Sequence, residues 1–204
     1  MQRNLILALL GVAVLVLAPG PAFRAETPSK IERVPVFQGA VLVPKGEANA
    51  GEVRRDYSVG KPIEEVVAFY RQRLGGVPVP NADELTNRED DAREKLRSGS
   101  VSPVWMLAEV HDFDDPESWP PRFLETATPK ALRRGFVEKR TPYRPGEWLS
   151  SAEIDWLRGT SDGQLHFRVV IMDETPQEIM QANYHARTSI SVLEGHPPRK
   201  DPSR

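Results

Sequence analysis

The sequence contains no cysteine in 204 residues. This absence excludes disulfide frameworks, thiolate nucleophiles, cysteine-based zinc sites and the lipid-modified cysteine of a bacterial lipoprotein. An excess of one charge is missing too, because 27 Lys and Arg stand against 29 Asp and Glu. A chain with this balance is not a basic nucleic-acid-binding protein, and its 39% hydrophobic content is too high for an acidic disordered chain. We therefore expect a globular protein that has no nucleic acid among its partners.

The familiar catalytic and binding motifs are also absent. The chain has no G-x-S-x-G elbow, no H-E-x-x-H zinc helix, no phosphate-binding glycine loop and no dinucleotide fingerprint. Its four histidines have no spacing typical of a metal-binding helix. We expect no cofactor and no metal, name no catalytic residue, and leave the question of enzymatic activity open while favouring a non-catalytic protein.

One long apolar run stands near the N-terminus. Arg3 precedes an unbroken apolar stretch of 14 residues, Leu5 to Ala18, and a Pro-Gly pair follows it. This pattern is typical of a secretory signal peptide, since a membrane span needs about 20 residues. We expect residues 1–25 to be a signal peptide with cleavage points after Ala22, which the small-residue pattern favours, or Ala25. The mature protein is then periplasmic or secreted and has no membrane span; an uncleaved anchor is the alternative.

The remainder predicts a single α+β domain. Residues 26–33 are expected to be a polar linker, 34–195 the domain and 196–204 a disordered tail. The clearest helix, over 62–74, has apolar residues at helical spacing on one face. A second helix, over about 83–97, carries many i,i+4 charge pairs and few apolar residues. We interpret it as a solvated helix at the domain edge, with a charged docking surface as the alternative.

Strands are predicted from runs of alternating or continuous apolar residues. They cover 53–59, 101–110, 150–158, 164–173 and 184–193, with an apolar extended stretch over 34–43, and we expect an antiparallel sheet packed on the main helix. An Asp-Gly pair at 162–163 predicts a two-residue hairpin loop, which would place Trp156 opposite Val169. The predicted core consists of Val66, Val67, Tyr70, Leu74, Trp105, Leu107, Ile154, Trp156, Phe167, Val169, Ile190 and Val192.

Two segments also resemble a group of uncharacterised exported bacterial domains. The first is the stretch Pro35-Val36-Phe37-Gln38-Gly39-Ala40, and the second is the helix Glu64-Glu65-Val66-Val67-Ala68-Phe69-Tyr70-Arg71-Gln72-Arg73-Leu74. That group carries a P-x-[YF]-x-G-A stretch, then an E-E-V-x-x-F-Y-x-x-x-L helix, then a closing antiparallel sheet. The resemblance covers 31–76 by motif and 150–193 by pattern. It implies an exported α+β domain and no particular activity.

The strand alternation leaves one polar face on the predicted sheet. This face carries Glu153 and Asp155, His166 and Arg168, and His185 and Arg187. Carboxylates beside histidines serve acid–base chemistry, whereas a solvated sheet face stabilised by cross-strand charge pairs has the same pattern. We interpret the face as solvated and keep the six residues as a candidate polar site.

A long proline-containing insert, 113–148, interrupts the strands. It holds six of the 19 prolines and a basic part between Lys130 and Arg144. Long irregular segments in compact domains are often functional. The candidate partner-binding residues in it are Arg133, Arg134, Phe136, Arg140 and Tyr143.

These observations favour an exported, non-catalytic cell-envelope protein that binds through the insert. Its partner is an envelope protein, a polymer or a small ligand. The alternative is a small exported hydrolase that uses the polar sheet face, for which Glu153, His166 and His185 must converge in a concave pocket. The sequence indicates no oligomeric state.

Overall fold

In the part of the chain that the structure describes, the fold is α+β, with helices on opposite faces of one sheet. The computed structural model describes residues 33–44, 52–112, 114, 115, 117, 119, 121, 143–174 and 186–196. The expected signal peptide, and most of the expected linker, insert and tail, lie outside these residues. Within them, neither helix is long and apolar enough to cross a membrane.

Seven strands in the described ranges form a single mixed sheet in the order β1-β2-β7-β6-β5-β4-β3. In chain order they are β1 (Val41–Val43), β2 (Glu52–Val59), β3 (Val77–Val79), β4 (Trp105–Asp112), β5 (Glu147–Thr160), β6 (Gly163–Asp173) and β7 (Thr188–Gly195). The helices are α1 (Ile63–Leu74) and α2 (Ala82–Lys95). The predicted strands pair antiparallel, as expected, but β3, which was not predicted, makes the sheet mixed because it pairs in parallel with β4. A parallel pair needs a crossover connection, and α2 supplies it.

Helix α1 covers one face of the sheet. Acidic residues lie in its first turn and basic residues in its last, as the helix dipole favours. Gly75 ends it with a φ of 79°. One stripe is buried, Ile63, Val66, Val67, Tyr70 and Leu74. This stripe packs on sheet residues that include Met106, Ile154, Trp156, Phe167, Val169, Ile190 and Val192.

Strand β4 presents its two apolar faces the other way round from our expectation. Met106 pairs with Ile154 and faces α1, so Trp105 and Leu107 point to the opposite face. There Trp105 packs with Val79 and Leu85 in a second, smaller core. The predicted placement of Trp105 and Leu107 under α1 is therefore wrong. A strand that is apolar on both faces gives no alternation from which its orientation could be read.

The β5–β6 hairpin is shifted by two residues from the predicted pairing. Trp156 pairs with Phe167 instead of Val169, and the two-residue loop is Ser161 and Asp162. Among the described residues, only glycines have a positive φ. Asp162 therefore does not adopt the positive φ that a two-residue Asp-Gly loop requires at both positions. Gly163 instead opens β6 with a φ of 146°. A shift of two keeps each side chain on its face, and Trp156 stacks on Phe167 with ring centroids 5.1 Å apart.

Helix α2 covers the other face, which we call the outer face. It buries Leu85 and Glu89 and packs against β3, β4 and β5. The helix lies over the strands at one edge of the sheet and exposes most of its charged residues, as expected, but it is not fully solvated, because Leu85 and Glu89 are buried against the sheet. Its N-terminus is capped by Asn81, whose side-chain oxygen accepts a 2.8 Å hydrogen bond from the backbone N–H of Glu84.

Replacement of the cap should weaken α2 measurably. We expect Asn81→Ala to reduce the free energy of unfolding by about 1 kcal/mol, because the Glu84 N–H loses its acceptor. Urea unfolding followed by tryptophan fluorescence measures this loss. Asn87→Ala, the same substitution at an exposed position inside α2, should instead stabilise the protein by about 0.5 kcal/mol through helix propensity. Equal effects of the two substitutions would contradict a capping role for Asn81.

Candidate functional site

A group of charged side chains lies between α2 and the outer face of the sheet. We call it the charge cluster, and its members are Glu89, Glu153, Asp155, His166 and Arg168. Asp155 pairs directly with Arg168 across β5 and β6, and His166 lies two residues along β6 on the same face. Helix α2 adds Glu89 from above. The cluster thus joins two adjacent strands to the helix.

Asp155 is the centre of the charge cluster. Its side chain has no exposed surface, and its Oδ1 accepts hydrogen bonds from His166 Nε2 at 2.9 Å and Arg168 Nε at 2.8 Å. Glu89 Oε1 lies 3.3 Å from His166 Nε2 and 3.6 Å from Arg168 Nη2. Glu153 Oε1 lies 2.8 Å from Arg168 Nε. Each buried carboxylate therefore has a cationic neighbour, as buried charges require.

The surroundings shift the protonation equilibria of the cluster. Burial, followed by the charge of Asp155, raises the pKa of Glu153 to about 7. Burial alone would lower the pKa of His166, but the carboxylates of Asp155 and Glu89 outweigh it, so this pKa lies above its ordinary value. Both shifts follow from crowding of carboxylates in a poorly solvated space.

Two buried oxygens of the cluster lack hydrogen bonds. Asp155 Oδ2 has no partner, and Glu89 Oε1 accepts no hydrogen bond of regular geometry although two cationic groups lie within 3.6 Å. Both residues are more than nine-tenths buried. Buried carboxylate oxygens in this state are uncommon and call for an explanation, such as a water molecule or an ion.

The structure brings together four of the six residues of the predicted polar face. Glu153, Asp155, His166 and Arg168 meet in the charge cluster, where α2 covers them, so this part of the face is not the solvated surface that we expected. Arg187 precedes β7, and the partner of Arg168 on β7 is Leu193. Six residues of strand separate the two positions, which is about 20 Å. His185 lies outside the described residues.

The sequence analysis missed Glu89, which completes the cluster. The signal was present in α2, where Leu85, Glu89, Ala92 and Leu96 follow the i, i+4, i+7, i+11 spacing of a buried stripe. A carboxylate in such a stripe must meet a cationic or hydrogen-bonding partner on the surface that the helix covers. In the structure those partners are His166 and Arg168, and Arg93 Nη2 holds Glu89 Oε2 at 3.0 Å.

A groove of about 400 Å³ adjoins the charge cluster on the outer face. Its polar lining comes from Glu109, Ser151 and Glu153, and its apolar lining includes Pro80, Leu107 and Val170. Ser151 Oγ donates a 2.8 Å hydrogen bond to Glu109 Oε2, which fixes both side chains on neighbouring strands. Glu153 belongs to both the groove and the cluster. The groove therefore combines apolar side chains with a few positioned polar groups, as small-ligand sites do.

An aromatic group stands where the predicted insert leaves and rejoins the sheet. His111 and Trp148 have ring centroids 4.8 Å apart, and Trp119 packs edge-on against Trp148 at 5.9 Å. Trp119 Nε1 donates a 2.6 Å hydrogen bond to the Asp112 carbonyl. Trp148 belongs to β5, so the insert ends earlier than predicted. The group anchors both ends of the insert on one end of the sheet.

One predicted partner-binding residue of the insert lies within the described residues. Tyr143 is half-buried against the core and donates its backbone N–H to the Glu147 carbonyl at 3.1 Å. The guanidinium of Arg144 lies 5.4 Å from its ring centroid. The other four, Arg133, Arg134, Phe136 and Arg140, lie outside the described residues.

Local geometry thus gives two features to explain, the charge cluster under α2 and the groove beside it. The cluster has the bonding of a buried ionic network, and the groove has the lining of a ligand site. Comparison with protein-family models, with curated proteins and with solved structures finds no match.

Proposed function

We propose that the protein is an exported, non-catalytic cell-envelope protein that binds a partner or a small ligand in the groove of the outer face. The observation that supports this proposal is the groove itself, about 400 Å³ and lined by Glu109, Ser151 and Glu153 together with apolar residues. Its floor is two paired strands, β4 and β5, so the polar groups are held in place before a ligand arrives. Such preorganisation lowers the entropic cost of binding.

The position of the insert agrees with this site. Asp112 and Glu147, which flank it, are paired across β4 and β5, and Glu109 and Ser151 of the groove are paired a few residues away. Both ends of the insert therefore lie at one end of the groove. The insert, which the sequence analysis predicts to bind a partner, therefore starts and ends beside the groove.

The geometry favours binding over the hydrolase alternative. A general base must reach the proton of a bound substrate, either directly or through one water. His166 Nε2 is held between Asp155 and Glu89 under α2, and His166 does not line the groove. Glu109 and Ser151 are bonded to each other, an arrangement that fixes the shape of a binding site.

Filling the groove should abolish binding without unfolding the protein. We expect Ser151→Trp to place an indole among the groove residues, and the immobilised variant should no longer retain a component of a cell-envelope extract that the wild-type protein retains. Val53→Trp is the matched control, because Val53 is 51% exposed on β2, three strands away from β5. The retained component is identified by mass spectrometry, and circular dichroism verifies the fold of each variant. Equal retention by all three proteins would contradict the assignment to the groove.

A further inference from the structure

We propose that Glu89, Asp155 and His166 form a binding site for a divalent transition-metal ion, with zinc as the best match. One ligand atom from each residue lies within 4.8 Å of the other two. Two of the spacings are known, since His166 Nε2 lies 2.9 Å from Asp155 Oδ1 and 3.3 Å from Glu89 Oε1. Zinc bonds of about 2.0–2.2 Å in a tetrahedron separate neighbouring ligand atoms by about 3.4 Å. The three side chains are therefore close to the required positions.

The two orphaned oxygens supply an independent reason. Asp155 Oδ2 and Glu89 Oε1 are buried and accept no regular hydrogen bond. Glu89 is 5% exposed and Asp155 is 0% exposed, so bulk water does not solvate them. A cation held by Glu89 Oε1 and by both carboxylate oxygens of Asp155 would satisfy the two orphaned oxygens, which the contacts with Arg and His leave unsatisfied.

The donor set also selects the kind of ion. One imidazole nitrogen and two carboxylate oxygens suit zinc and its neighbours in the first transition series, whereas calcium and magnesium prefer all-oxygen surroundings. Arg93 Nη2 holds Glu89 Oε2 at 3.0 Å, which orients the other oxygen, Oε1, towards His166. Outer contacts of this kind fix metal ligands in proteins. Three protein ligands leave a fourth position for a water molecule.

Arg168 competes with the ion for the same carboxylates. Its Nε lies 2.8 Å from Asp155 Oδ1, and its Nη2 lies 3.6 Å from Glu89 Oε1. An ion at the site would displace these contacts, but Arg168 Nε also lies 2.8 Å from Glu153 Oε1 and would keep that partner. The guanidinium of Arg168 and a bound metal ion are both positively charged and would lie beside the same carboxylates, so they repel each other. Removal of the guanidinium should therefore strengthen metal binding. This expectation separates a metal site from a purely ionic network, in which Arg168 is only stabilising.

The test is a zinc titration of the full chain after treatment with EDTA and dialysis. Isothermal titration calorimetry should give one zinc ion per chain, and cobalt(II) in place of zinc should show the intense visible absorption of a tetrahedral site. We expect His166→Gln and Glu89→Gln each to weaken zinc binding by at least about 10-fold. Arg168→Met should strengthen it. His196→Gln, which removes an exposed histidine outside the cluster, should leave the affinity unchanged.

Two outcomes would overturn the metal site. One is the absence of saturable zinc or cobalt binding in both the wild-type protein and a folded Arg168→Met variant. The other is stoichiometric binding that His166→Gln and Glu89→Gln leave intact, which would assign the ion to other residues. Neither outcome bears on the groove, since the retention experiment uses Ser151→Trp and no metal.

Discussion

Gly159→Ala should reduce the free energy of unfolding by about 3 kcal/mol, the upper end of the usual cost of overpacking. A Cβ at this position would lie 2.0 Å from the carbonyl oxygen of Arg97 and 2.7 Å from its carbon. Both are backbone atoms, so no side chain can rotate away. The segment that carries them is bonded to β5, with Gly159 N–H donating to Ser100 O at 2.9 Å and Gly99 N–H to Gly159 O at 3.0 Å. Relief of the clash therefore breaks these hydrogen bonds.

Gly60→Ala is the matched control for this prediction. The nearest atom to its added Cβ is the Ala186 carbonyl oxygen at 3.9 Å, which is ordinary contact, and its φ is not in the positive range. We expect a change of less than about 1 kcal/mol, with stabilisation the more natural sign, because alanine reduces the freedom of the unfolded chain. Urea unfolding of both variants gives the comparison. A loss at Gly159 as small as that at Gly60 would mean that the Arg97 segment is not packed against β5.

Asp155→Asn should cost about 3–5 kcal/mol, the typical loss when one partner of a buried ionic network is removed. The substitution keeps the shape of the side chain and one acceptor oxygen, but it removes the negative charge that faces His166 and Arg168 through Oδ1. Urea unfolding monitored by tryptophan fluorescence measures the loss, in the presence of EDTA so that metal binding does not contribute.

An exposed ion pair offers the control for Asp155. Asp91 pairs with Lys95 at 3.4 Å on α2, and both side chains are about three-quarters exposed. We expect Asp91→Asn to change the free energy of unfolding by less than about 0.5 kcal/mol, because water screens such pairs. If Asp155→Asn were equally mild, the charge cluster would have to be solvated, and α2 would not lie over it as described.

Several elements of the fold could be predicted from local patterns alone. Helix α1 has an apolar stripe from Ile63 to Leu74, and β6 alternates over most of its length. Strand β3 could not be predicted, because it has three residues, includes Pro78 and gains its hydrogen bonds only from β4. The orientation of β4 was equally hidden, since Trp105 and Met106 are both buried. In these cases the decisive information is which element packs on each face.

The candidate site shows the same division. Strand alternation placed Glu153 and Asp155 on one face with His166 and Arg168, and the structure shows these side chains in contact. The burial of that group could not be predicted, because it depends on α2. The many charged residues of α2 make its sequence look like that of a fully exposed helix, so the side that packs on the sheet is hard to identify. Glu89 is the residue that links the two, and its role follows only once the helix is placed on the sheet.

The position of β7 has a consequence for how the protein reaches its native state. This last strand lies between β2 and β6, with Glu52 paired to Gly195 and Val59 to Thr188. Among the described strands, it alone joins β1 and β2 to the rest of the sheet. Such pairing between distant parts of a chain slows folding, because a long loop must close before any contact forms. The N-terminal strands therefore have no sheet to join until the C-terminal strand has emerged, and a chain that is still being synthesised stays open along the edge of β6.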